Sequence, residues 1–212
     1  MKNHCDNGES SEENNGNTIK DGKNINITEK TKNNLKSKIS IIESSKFKSA
    51  YGIFCKIPFQ NKSLKVLITN NHILNLSFFN ENNEIKLEIN KQQIILSLEV
   101  ERKIWTNDYM NYTVIELLEK DKIKNSFFII DEKKYNSDII FPVFNENEEI
   151  SFYKTEIVPI QNDSNYFHDN CNIDYVSSGE PYILNNNYSL IGIHIGYDRD
   201  KKTKTMEKML EF

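Results

Sequence analysis

Past about residue 38 the chain alternates between apolar and polar positions in short runs, and the repeat is close to two. Ile85-Lys86-Leu87-Glu88-Ile89 alternates cleanly, and Leu64-Lys65-Val66-Leu67-Ile68-Thr69 is rich in β-branched residues. Both are strand patterns, because successive side chains of a strand point to opposite faces. The same reasoning predicts strands near 39–42, 51–57, 94–100, 112–117, 127–130, 139–143, 150–153, 157–160, 182–184 and 190–195. About twelve short strands with little helical periodicity predict an all-β barrel or sandwich. Two six-stranded antiparallel β-barrels account for that number, one over about 39–120 and the other over about 125–200. Met206, Met209, Leu210 and Phe212 have a spacing that predicts a short packed helix over about 203–212.

Residues 1–38 lack this pattern. Asn, Lys, Glu, Gly and Ser dominate there, and large apolar residues are few. Such a segment buries too little surface to offset its chain entropy, so a disordered tail is predicted. A short amphipathic helix within 28–38 is the alternative reading of its last part.

Composition narrows the function classes. A net charge of −4 argues against a nucleic-acid partner, which would require a basic surplus. No stretch approaches the roughly 18 to 20 apolar residues of a membrane span. The hydrophilic start has no signal-peptide core, which predicts a cytoplasmic protein. Cys5, Cys55 and Cys171 have no close pairing, and they resemble neither a disulfide framework nor a zinc site. No cofactor or metal is expected.

Four segments carry candidate chemistry. Leu67-Ile68-Thr69-Asn70-Asn71-His72 is a buried strand running into a polar turn that ends in histidine. Histidine is suited to proton transfer near neutral pH. In Val176-Ser177-Ser178-Gly179-Glu180-Pro181 a serine sits in a tight Gly/Pro turn before a strand. Backbone N–H groups of such a turn can stabilise a tetrahedral oxyanion. Ile191-Gly192-Ile193-His194-Ile195-Gly196 is a strand whose glycines permit close approach of a ligand. Ala50-Tyr51-Gly52-Ile53-Phe54 opens the series and by itself is an ordinary strand.

In their chain order these segments resemble the trypsin-like, chymotrypsin-fold serine peptidases, most closely their intracellular, disulfide-poor branch. The resemblance covers nearly all of residues 48–198. It implies two antiparallel barrels with the active site in the cleft between them, and a peptide or protein as substrate or ligand. It also implies that His72 is the general base, that Ser178 is the nucleophile, and that the N–H groups of Ser178 and Val176 form the oxyanion hole. The triad acid should stand immediately before Tyr112-Thr113-Val114-Ile115-Glu116, and that position holds Asn111. An amide can accept a hydrogen bond from imidazole but offers no negative charge. Asp108, three residues earlier, could replace it through a shift of the loop.

The same resemblance places Ile173, Gly192 and His194 in the substrate pocket. A histidine in this strand implies preference for an acidic or glutamine side chain, whereas Ile173, where a threonine is usual, makes the pocket more apolar. Val176 and Ala50 each stand where a glycine is usual. These departures set two expectations side by side. One is a serine endopeptidase with an impaired, degenerate site. The other is a pseudoprotease, a catalytically inactive module that binds peptides or proteins.

Overall fold

The computed structural model describes residues 23–43, 50–99, 101–124, 126–131, 138–144, 149–160, 163–169, 177–198 and 203–208. Among them are sixteen strands, organised as two mainly antiparallel sheets of eight.

The first half of the chain builds the first sheet. Its strands are β2 (Ile39–Ile42), β3 (Ala50–Phe59), β4 (Lys62–Asn70), β5 (Glu84–Ile89), β6 (Gln92–Ser97), β7 (Ile104–Asn107), β8 (Tyr112–Glu116) and β9 (Phe128–Ile129). They lie in the order β6-β5-β2-β3-β4-β8-β7, with β9 added parallel to β3. Two hairpins explain part of this order. Gln60-Asn61 joins β3 to β4 and Asn90-Lys91 joins β5 to β6, and all four residues have positive φ. Two-residue turns with both φ positive match the right-handed twist of paired strands, and asparagine tolerates them well.

The second sheet contains β1 (Lys23–Ile25), β10 (Ile139–Phe144), β11 (Ile150–Thr155), β12 (Ile157–Ile160), β13 (Asp163–Asp169), β14 (Pro181–Leu184), β15 (Leu190–Asp198) and β16 (Thr203–Lys208). Its order is β1-β11-β10-β14-β15-β16-β13-β12. Each sheet curls into a half-barrel, as an all-β chymotrypsin-like fold requires. The two halves share one core. Ile53, Ile68 and Val114 of the first sheet pack in one buried cluster with Ile140, Ile183 and Ile193 of the second.

Two expectations are corrected. The predicted C-terminal helix is a strand over its described part: β16 lies between β13 and β15, pairing with both. Backbone pairing on two sides outweighs a helical spacing of a few apolar residues. The predicted tail also ends too late. Lys23–Ile25 pairs antiparallel with Lys154, Tyr153 and Phe152 of β11. Helix α1 (Glu29–Lys36) follows, with the Thr28 side chain accepting from the Thr31 N–H and Leu35 fully buried. One anchored leucine and one strand pairing order a segment whose composition is otherwise polar. Residues 1–22 lie outside the described residues.

A buried ion pair braces the end of the first sheet. Arg102 donates to both carboxylate oxygens of Asp121 at 3.1 and 3.0 Å, and to the carbonyls of Ser97 and Glu116. Asp121 in turn accepts the Leu118 N–H at 2.7 Å. The planar guanidinium suits this fork-to-fork geometry and ties three segments together.

Candidate active site

His72 stands in the turn that leaves β4. The carbonyl of Asn70 accepts the N–H groups of Ile73 and Leu74, closing the turn. Ile73 and Leu74 are buried and hold it down, which leaves the His72 side chain exposed. The Thr113 hydroxyl reaches the Leu74 carbonyl at 2.7 Å and so ties the turn to β8.

Asn111 occupies the facing turn, between β7 and β8, with φ 50°. Asparagine is one of the few residues that adopt this left-handed conformation at low cost. The two turns are bonded together. The Asn111 carbonyl accepts from the Asn71 N–H at 3.0 Å and from the Asn70 side-chain amide at 3.4 Å. The Asp108 carboxylate accepts from the Asn71 side-chain amide. Asp108 therefore serves the turn beside the imidazole, and Asn111 faces the ring itself.

Ser178 lies in the turn before β14. Its carbonyl accepts the Tyr51 N–H from β3 at 2.9 Å. The next residue, Gly179, has φ +88° and donates to the His194 carbonyl of β15 at 2.9 Å. A Cβ on Gly179 would stand 2.1 Å from the Tyr51 carbonyl oxygen, so only glycine fits. The Ser178 turn is thus bolted to both sheets.

These placements converge, although His72 and Ser178 are 106 positions apart. His72 Nε2 lies 3.0 Å from Ser178 Oγ. His72 Nδ1 lies 3.0 Å from Asn111 Oδ1. The order hydroxyl, imidazole, polar side chain is that of a nucleophile, a base and the group that orients the base. Geometrically, the hydroxyl can pass its proton to the ring as it attacks an electrophilic carbon.

The pocket residues expected from the sequence are placed unevenly. His194 is buried, at 3% exposure, and its Nδ1 lies 3.4 Å from the Tyr182 hydroxyl. Its N–H donates to the Glu180 carbonyl at 2.8 Å, so its backbone brackets the Ser178 turn. Gly192 lies in the same strand, two residues before His194. It is buried inside the sheet with Tyr182 and Lys208 as register partners on its two sides. Gly196 is the glycine of this strand with open space where a Cβ would point. Val176 and Ile173 lie outside the described residues. Among the described residues, no three His, Cys, Asp or Glu side chains gather as a metal site would require.

Sequence reading missed Tyr51 and Tyr182. Tyr51 acts through its backbone, which no residue type advertises. That Tyr182 lies diagonally across paired strands from His194 could be seen only once the register was known.

Comparison with known structures agrees with this architecture. The serine protease domain of the Sesbania mosaic virus polyprotein superposes with a TM-score of 0.60 at 14% identity, over 82% of this chain and 88% of that one. The serine protease of a human pathogenic astrovirus gives 0.58 at 10% identity, over 82% and 91%. Catalytically active tobacco etch virus protease, complexed with product, gives 0.57 at 15% identity, over 84% and 76%. No protein-family model matches the sequence, and no curated protein sequence matches it. The chain has the chymotrypsin fold, and its structural neighbours are serine proteases of that fold. Among the described residues, no helix is long and apolar enough to cross a membrane.

Proposed function

We propose that the protein is a serine endopeptidase homologue that cleaves peptide bonds slowly through Ser178 and His72. The carrying observation is the 3.0 Å approach of His72 Nε2 to Ser178 Oγ across the seam of the two sheets. In this reading Ser178 Oγ attacks the scissile carbonyl while His72 accepts its proton. His72 then returns the proton to the leaving amine, and water releases the acyl group by the same path in reverse. The N–H of Ser178 receives the oxyanion. Turnover is slow because Asn111 gives the imidazolium no counter-charge. The buried His194, beside Tyr182, supports preference for an acidic or glutamine side chain.

The uncharged partner of His72 also favours a second reading, a non-catalytic module that binds peptides or proteins. A fluorophosphonate probe separates the two. Labelling of the folded chain that disappears in Ser178→Ala supports the peptidase. A folded chain that takes no label refutes it and leaves the binding module.

A further inference from the structure

We infer that Asn111 is a positioning residue that holds His72 in the tautomer a serine nucleophile needs, so this site has lost the triad's charge but kept its proton order. The inference deepens the peptidase reading and borrows from it only the direction in which the proton must move.

The backbone N–H of His72 donates to Asn111 Oδ1 at 3.1 Å. A backbone N–H can only donate, so the atom facing it must be an acceptor. This settles which end of the amide points at the histidine. Turning the amide over would set its NH2 group against that N–H and lose the bond. The same Oδ1 lies 3.0 Å from His72 Nδ1. An amide oxygen is also only an acceptor, so Nδ1 must carry the proton. In the neutral ring Nε2 is then the lone-pair nitrogen, and it lies 3.0 Å from Ser178 Oγ. The hydroxyl donates to the ring, as a general base requires.

An asparagine exchanged for aspartate in a trypsin-like enzyme behaves differently. There the amide turns the imidazole into the wrong tautomer, and kcat falls roughly 10⁴-fold. Here one donor from the histidine's own backbone prevents that rotation. The left-handed turn at Asn111 supports the arrangement. Its carbonyl is held by Asn71 and Asn70, so the side chain leaves a braced backbone.

The test is ¹⁵N NMR of ring-labelled protein at a pH where His72 is neutral, with its resonances assigned from the spectrum of His72→Gln. The expected wild-type spectrum shows a protonated Nδ1 and an imine-type Nε2. A protonated Nε2 overturns the inference. Asn111→Gly keeps the backbone conformation, because glycine accepts φ 50°, but removes the acceptor. Its ring should shift toward the Nε2–H form, and an unchanged tautomer overturns the inference equally. Asn111→Asp supplies the charge. If the tautomer is already correct, the probe-labelling rate should rise only about 5- to 30-fold, the difference between a neutral and a charge-assisted hydrogen bond. A rise near 10⁴-fold would mean that the tautomer had been wrong. If the spectra are as expected and no variant labels, the peptidase reading fails while the tautomer assignment stands.

Discussion

The N–H of Tyr51, in the first sheet, donates at 2.9 Å to the carbonyl of Ser178, in the turn that opens the second. The Tyr51 carbonyl accepts the buried Thr69 hydroxyl at 2.8 Å, which anchors it in turn to the strand leading to His72. The backbone that presents the serine is therefore referenced to the strand that presents the histidine. A site split between two sheets keeps its 3.0 Å spacing only if some rigid link of this kind exists.

The close contact of Gly179 with this link gives the first prediction. Gly179→Ala must place a methyl group against the Tyr51 carbonyl while holding φ near +88°. The expected cost is at least about 2 kcal/mol from the strained backbone and the displaced turn. Urea denaturation measures it. Labelling at Ser178 should also disappear in the fraction that remains folded, and a variant of wild-type stability and labelling would contradict the geometry.

The Arg102–Asp121 pair is nearly sealed from water, with side-chain exposures of 1% and 4%. Removing one partner leaves the other buried and unpaired. Asp121→Asn or Arg102→Leu should each cost about 3–5 kcal/mol. In a double-mutant cycle the double variant should fall well short of the sum, because no orphan charge remains. Additive losses would show that the pair acts only as two separate hydrogen-bonding groups.

Burial pushes the Cys55 thiol up to about 12, an effect only partly offset by the Lys56 backbone and by the charge of Lys38. Its Sγ lies 3.4 Å from the Phe128 carbonyl. The same burial lowers Lys38, against the opposing pull of Cys55. In a chain with Cys5 and Cys171 replaced by serine, Ellman's reagent should react at pH 8 only after denaturation. The pH dependence follows in sign. The folded state favours the neutral thiol, so its contribution is complete below the unfolded value of about 9 and is lost as pH rises toward about 12. The stability advantage of the wild type over Cys55→Ala should shrink across that window, and a constant difference would be inconsistent with a buried thiol.

Deleting residues from 203 onward should unfold the second sheet. β16 is paired on both sides, with Tyr166–Asp169 of β13 and with Gly192–Asp198 of β15. Its loss opens two edges inside a sheet and exposes unpaired backbone groups. Hydrogen exchange should show lost protection in β13 and β15. Retained protection there would favour a peripheral terminal segment.

Twelve strands were legible in the sequence, because each carries β-branched or alternating apolar residues. Glu84–Ile89 is the clearest case, with Ile85, Leu87 and Ile89 buried and Glu84 and Lys86 exposed. The strands that escaped reading are polar or very short. Lys23–Ile25, Ile104–Asn107, Asp163–Asp169 and Thr203–Lys208 owe their form to the partner beside them, which local pattern does not encode. At the site, His72, Ser178 and Asn111 were singled out through the resemblance of their segments, in chain order, to a known family, and not from any one turn alone. Which end of the Asn111 amide meets the ring was not readable. It depends on a backbone donor brought near by folding, and no property of the residue type announces it.

Placing β16 inside the second sheet bears on how the molecule is born. The ribosome can release every residue of the first sheet, His72 and Asn111 included, while the second still lacks an inner strand. Nascent chains fold unit by unit from the N-terminus. The Ser178 turn is seated on β15 through Gly179 and His194, and β15 gains its second pairing partner only once residues past 203 have been translated.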